Sequence, residues 1–207
     1  MLVSDSRKFI FIHIPRTAGM SLRAALEPFA DAANLDFSRM QWEKEYPHFT
    51  AEEISQIAGE ERFRSFFKFA FVRNPWDRMV SRYFYLRRFN SRPGEAINIR
   101  GYYPPASLSF TEWLTGNNRH AVHPLDLRQQ KAWLQRAGGD LAVDFIGRFE
   151  DLPAAIDRIN NQLGTRIAMP HNNASEHTDY HQYYDTATRD YVSRVFAADI
   201  ETWNYKY

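Results

Sequence analysis

The chain has 207 residues, 44% of them hydrophobic and 15% aromatic, which is enough to bury one sizeable core and too few for two full domains. Twenty-six basic and 25 acidic side chains leave a formal net charge of +1, so the broad positive field of a nucleic-acid binder is excluded and any anion must be held locally. There is no cysteine, which excludes disulfides and thiolate metal ligands; with no secretory signal and no apolar run near the roughly 20 residues of a membrane span, the expectation is a cytoplasmic protein with no nucleic-acid partner.

Strands and helices alternate along the chain. Lys8 to Ile14 is short, apolar and rich in Ile and Phe, the pattern of a strand buried on both faces. A tight loop, Pro15 to Gly19, leads into a helix through Leu22, Ala25 and Leu26. Thr50 and Glu53 stand three apart ahead of Ile54 and Ile57, a capping-box spacing for a helix that ends near Gly59. Phe66 to Val72 reads as a second strand, after which Asn74 caps and Pro75 opens a helix whose core face uses Met79, Val80, Tyr83 and Phe84. Residues from Phe89 to Leu108 carry Pro93, Gly94, Gly101, Pro104 and Pro105 with little periodicity, as in a lid or acceptor loop. Helices are expected from near Ser109 and over Leu127 to Arg136, then a third strand at Val143 to Phe149. A helix from Asp151 to Leu163 stops at Gly164, and a last one covers Thr186 to about Trp203. The expectation is an α/β fold in a single domain: a P-loop-like, open parallel sheet with right-handed crossovers, flanked by helices.

In such sheets ligands sit beyond the carboxyl ends of the strands. The first loop there reads His13-Ile14-Pro15-Arg16-Thr17-Ala18-Gly19-Met20-Ser21. Ala18 and Gly19 let backbone N–H groups approach an anion, the following helix adds its positive end, Thr17 and Ser21 add hydroxyls, and Arg16 adds a full charge. A Walker A loop is not matched, because no Gly-Lys-Ser/Thr is present and the cation precedes the glycine. An ordinary strand-to-helix turn is the competing reading. The second loop, Phe71-Val72-Arg73-Asn74-Pro75-Trp76-Asp77-Arg78-Met79-Val80-Ser81, puts Ser81 seven residues past Asn74, on nearly the same helix face and turned toward the strand end that carries Arg73.

These stretches resemble the sulfotransferase superfamily, in the branch with the heparan sulfate 2-O-sulfotransferases, the chondroitin sulfotransferases and bacterial relatives. FIHIPRTAGMSL resembles the 5′-phosphosulfate loop and FAFVRNPWDRMVSRYF the 3′-phosphate motif, while DFIGRFEDL and PHNNAS resemble the C-terminal half. The resemblance implies a donor cosubstrate, 3′-phosphoadenosine-5′-phosphosulfate (PAPS), with 3′-phosphoadenosine-5′-phosphate (PAP) as product. Arg16, Thr17, Ala18, Gly19, Met20 and Ser21 would surround the 5′-phosphosulfate, and Arg73 with Ser81 would hold the 3′-phosphate. The family usually has lysine where this chain has Arg16; arginine binds oxygens through a planar fork, whereas an ammonium is a movable point charge.

Sulfuryl transfer resembles phosphoryl transfer with less charge on the group in flight, so Arg16 and backbone amides are expected to suffice without a metal. The acceptor, a hydroxyl on a saccharide or small metabolite, needs a base. His48 stands in Tyr46-Pro47-His48-Phe49-Thr50, the segment where relatives place theirs; without the resemblance it reads as a surface histidine near a helix start. His13, ending a buried strand, is expected to be structural, with a contact to the loop. His177 and His181 have metal-like spacing, but the flanking Asn172, Asn173 and Ser175 favour a loop and no metal site. By the resemblance, His171 to Tyr184 closes over nucleotide or acceptor, with Asn173 and Ser175 as contacts. Arg82, Arg87, Arg88, Arg92 and Arg100, interleaved with Tyr83, Tyr85, Tyr102 and Tyr103, read either as an anionic or carbohydrate acceptor surface or as a solvated helix end, the second being preferred. Two other functions remain open at this stage: a magnesium-dependent kinase on the same sheet, and a nucleotide- or glycan-binding module without turnover.

Overall fold

The computed structural model describes residues 1–37, 48–90, 104–105, 107–116, 121–168 and 178–207. They fall into two compact units, each built from two chain segments: Met1–Arg73 with Gln130–Ala174, and Asn74–Gln129 with Ser175–Tyr207.

The first unit holds a four-stranded sheet in the order β1(Leu2–Ser4), β2(Phe9–Ile12), β3(Phe67–Val72), β4(Phe145–Arg148). β2, β3 and β4 are parallel, as the sequence predicts; β1, too short to be read from three residues, joins as an antiparallel edge. Alternation sends Phe9, Phe11, Phe69 and Phe71 to one face. There they form the core with Leu22 and Leu26 of α1(Gly19–Leu26) and with Ile156, Ile159 and Leu163 of α7(Leu152–Leu163). Ile10, Ile12, Ala70 and Val72, on the opposite side of the pleat, are buried as well, which explains why these strands read as continuous apolar runs.

α2(Ala51–Ala58) opens on the expected capping box, with the Glu53 N–H donating to Thr50 Oγ1 (3.2 Å) and the Thr50 N–H donating to Glu53 Oε2 (2.7 Å). Gly59 then breaks the helix with φ 88°, and α3(Glu60–Ser65) follows. α6(Gln130–Leu134) is shorter than the 127–136 expected from periodicity. Arg136, just beyond it, donates to Glu52 (3.1 Å) and Glu60 (2.6 Å), fastening α2 and α3 to the α6 end.

The second unit holds α4(Pro75–Asn90), α5(Phe110–Thr115), α8(Thr186–Val195) and α9(Ala197–Trp203). Asn74 caps α4 as expected, its Oδ1 accepting from the Trp76 N–H at 3.0 Å. Met79, Val80 and Tyr83 are buried on α4; Leu86, rather than Phe84, completes that face. α5 opens on a Ser109/Glu112 capping box. The single helix expected from Thr186 is two, because Phe196, fully buried, takes non-helical angles between α8 and α9. No described helix is long and apolar enough to cross a membrane.

Candidate active site

Within the first unit, the carboxyl edge of the sheet gathers the loop after β2, Arg73 after β3 and Phe149 after β4. The β2 loop is tightly wound. Thr17 Oγ1 donates to the Ile14 carbonyl at 2.9 Å, and Arg16 and Ala18 take left-handed backbone angles, φ 69° and 63°. Each costs a non-glycine residue about 1–2 kcal/mol; strain of this kind persists where the surroundings impose it, often at ligand clamps. Its effect is to start α1 at Gly19 without a side-chain cap. The first bond within the helix is Leu22 N–H to Ala18 O at 3.0 Å, so the N–H groups of its first turn point ahead of the intrahelical ladder. Aligned donors and the positive helix end suit an anion. Thr17, buried, offers its hydroxyl proton to the Ile14 carbonyl of the turn. The Met20 side chain is 63% exposed, and Ser21 is buried.

Gly19 is required by a close approach. A Cβ there would lie 1.7 Å from Cδ2 and Nε2 of His13. The His13 ring, 3% exposed, stacks on Phe11 at 6.0 Å and meets His48 edge-on at 4.3 Å; its Nδ1 is buried with no hydrogen-bond partner among the described residues. Burial first, and then the neighbouring His48, hold its pKa well below the ordinary imidazole value, so His13 is neutral. The sign of the stability effect follows. As pH falls below about 6.5 the unfolded chain takes up a proton that folded His13 refuses, so stability present above that pH is progressively lost. Denaturation midpoints measured at falling pH should drop more steeply for wild type than for His13→Gln.

His48 is partly buried and lies two residues before the capping Thr50. Its Nδ1 is 3.0 Å from the His13 carbonyl, and its ring stands 6.3 Å from that of Trp133 on α6. A carbonyl only accepts, so Nδ1 must carry the hydrogen; in the neutral ring Nε2 then holds the lone pair. Fixing the tautomer through the other nitrogen is how an imidazole is prepared to take a proton.

Arg73 is 3% exposed. Its Nη1 donates to the Arg16 carbonyl at 3.3 Å, and its guanidinium carbon lies 3.8 Å from the centre of the Phe149 ring. Gln130 of α6 accepts from the Arg73 N–H (2.9 Å) and donates to the Arg73 carbonyl (2.8 Å). The loop, His48 and Arg73 are thus brought together in one unit. Sequence reading missed Gln130, Trp133 and Phe149; of these only Phe149 lay in a quoted motif, and the other two carry no signal beyond helical spacing.

In the second unit, Ser81 sits on α4 with 1% exposure, two turns past Asn74. Arg82 is neither an acceptor-facing cation nor solvated: buried at 5%, it pairs with Asp126 at 2.8 Å. Arg87 donates to Tyr83 Oη at 3.3 Å, and Arg88 is exposed. Arg92, Arg100, Tyr102, Tyr103, His171, Asn173, Ser175 and His177 lie outside the described residues. His181 is bonded to Asp179, and no group of three metal-ligating side chains occurs among the described residues.

Comparison with known proteins gives this arrangement its context. A protein of Archaeoglobus fulgidus, described only as uncharacterized, is 30% identical over 111 residues, 54% of this chain and 78% of that protein. Among solved structures, mouse sulfotransferase SULT7A1 complexed with PAP is similar in fold, with a TM-score of 0.50 at 14% identity over 96% of this chain and 86% of that one. The model of the sulfotransferase family matches residues 1–206, end to end over the β2 loop, the Arg73 motif and the C-terminal half, and the chain belongs to that family.

Proposed function

We propose that the protein moves the sulfuryl group of PAPS to an acceptor hydroxyl, with His48 as general base. The observation that carries this reading is the hydrogen bond from His48 Nδ1 to the His13 carbonyl, which ties a base of defined tautomer to the head of the anion loop. The acceptor oxygen forms a bond to sulfur as the bond from sulfur to the 5′-phosphate oxygen breaks, and the acceptor proton goes to His48 Nε2. The electron pair of the broken bond stays on the phosphate oxygen of PAP. Charge growing there meets the N–H groups of Gly19, Met20 and Ser21 and the guanidinium of Arg16. Arg73 and, by the motif, Ser81 bind the 3′-phosphate. PAP bound to the mouse sulfotransferase supports the choice of nucleotide, and the branch that the motifs resemble supports a saccharide hydroxyl as acceptor.

The first test is thermal. PAP should raise the melting temperature well above the shift given by AMP or by magnesium ATP at equal concentration, since a ligand that binds only the folded state stabilises it according to its affinity. Equal shifts from AMP would remove the Arg73 assignment, and a larger shift from magnesium ATP would favour a kinase. Sulfuryl transfer from PAPS to a panel of saccharides and small alcohols then separates an enzyme from a binding module.

A further inference from the structure

Gln130 is completely buried, at 0% exposure, and stands 57 positions after Arg73 in the chain. Both ends of its amide are used on one residue: Oε1 accepts from the Arg73 N–H at 2.9 Å and Nε2 donates to the Arg73 carbonyl at 2.8 Å. A backbone N–H only donates and a carbonyl only accepts, so the amide has one orientation. The last sheet rungs are Val72 with Arg148 and Ala70 with Ile12, which puts Arg73 one residue past the ladder. Beyond a ladder, buried backbone groups need new partners. The Gln130 side chain supplies them and continues the sheet edge by one residue.

We propose that Gln130 is a positioning residue for nucleotide selectivity, holding the Arg73 backbone so that its guanidinium is aimed at a 3′-phosphate. The inference rests on the role given to Arg73 above. The Arg16 carbonyl and the Phe149 ring fix the far end of the Arg73 side chain, and Gln130 fixes the near end. A planar fork gripping phosphate oxygens tolerates little displacement, and misplacement of about 1 Å is enough to cost a positioned interaction much of its effect. A side chain that only filled the core would alter stability and leave the preference between two nucleotides where it was.

The experiment is calorimetric titration of wild type, Gln130→Met and Gln130→Glu with PAP and with AMP, which differ in the 3′-phosphate. The methionine variant keeps the volume and removes both bonds; the glutamate variant keeps the acceptor and stays measurable if the first does not fold. The preference for PAP over AMP should fall at least about tenfold in either variant, with AMP affinity unchanged, as expected for a weakened hydrogen bond to a charged group. In an Arg73→Ala background the Gln130 change should have no further effect on that ratio. A wild-type protein that prefers PAP, with variants that keep the same ratio, overturns the proposal and leaves the function intact. A wild-type protein with no preference overturns the Arg73 assignment, and this inference with it.

Discussion

His48→Ala is expected to lower sulfuryl transfer by about 10²- to 10⁴-fold, the usual contribution of a positioned general base, and to leave PAP affinity unchanged. The ring does two things, and they separate. Nδ1 holds the His13 carbonyl at 3.0 Å, and in the neutral ring Nε2 carries the lone pair. In His48→Asn the amide nitrogen takes the place of Nδ1 and can still donate to that carbonyl, but nothing replaces Nε2. The asparagine variant should therefore melt close to wild type and still fail to turn over. Wild-type turnover in His48→Asn would move the base elsewhere; loss of PAP binding in both variants would make His48 a structural part of the nucleotide site.

Gly19→Ala should damage stability and activity together. Its Cβ would fall 1.7 Å from the His13 ring, which is enclosed by Phe11 on one side and His48 on the other. Either the imidazole or the first turn of α1 must move. Overpacking of this kind costs about 1–3 kcal/mol, read as a drop in melting temperature. Because the displaced ring belongs to the residue whose carbonyl holds His48, and the displaced turn carries the N–H groups proposed to meet the 5′-phosphosulfate, turnover should fall about a hundredfold as well. Removing the obstruction checks the cause: Gly19→Ala combined with His13→Ala should recover most of the lost stability, a favourable coupling between touching sites. If Gly19→Ala alone kept both melting temperature and turnover, the close approach would not be what sets the loop.

The parallel strands were legible because burial on both faces makes them uninterrupted apolar runs, and the helix starts were legible where Thr50/Glu53 and Asn74/Pro75 supply local capping chemistry. The edge strand at Leu2–Ser4 was not, since three residues carry no period and its pairing with β2 is a tertiary event. The same division runs through the site. Arg16 to Ser21 and Arg73 stand in contiguous motifs, whereas Gln130, which is bonded to the Arg73 backbone, comes from a helix read only as a spacing, and so does Trp133, which stands beside the His48 ring. Arg82 shows the converse failure, because an arginine-rich helix end looks solvated until Asp126, far along the chain, is found beside it.

The unit that carries the anion loop is discontinuous: it leaves the chain at Arg73 and resumes at Gln130. Those two residues are bonded to each other twice, so the excursion between them begins and ends at one fixed point. Closing a flexible excursion costs only about 0.6 kcal/mol for each doubling of its length. Insertions and deletions within residues 82–129, beyond Ser81, are therefore cheap for the sheet and its loop, as long as the Arg73 and Gln130 ends still meet. A lineage can rebuild that stretch while inheriting the sheet and its loop unchanged.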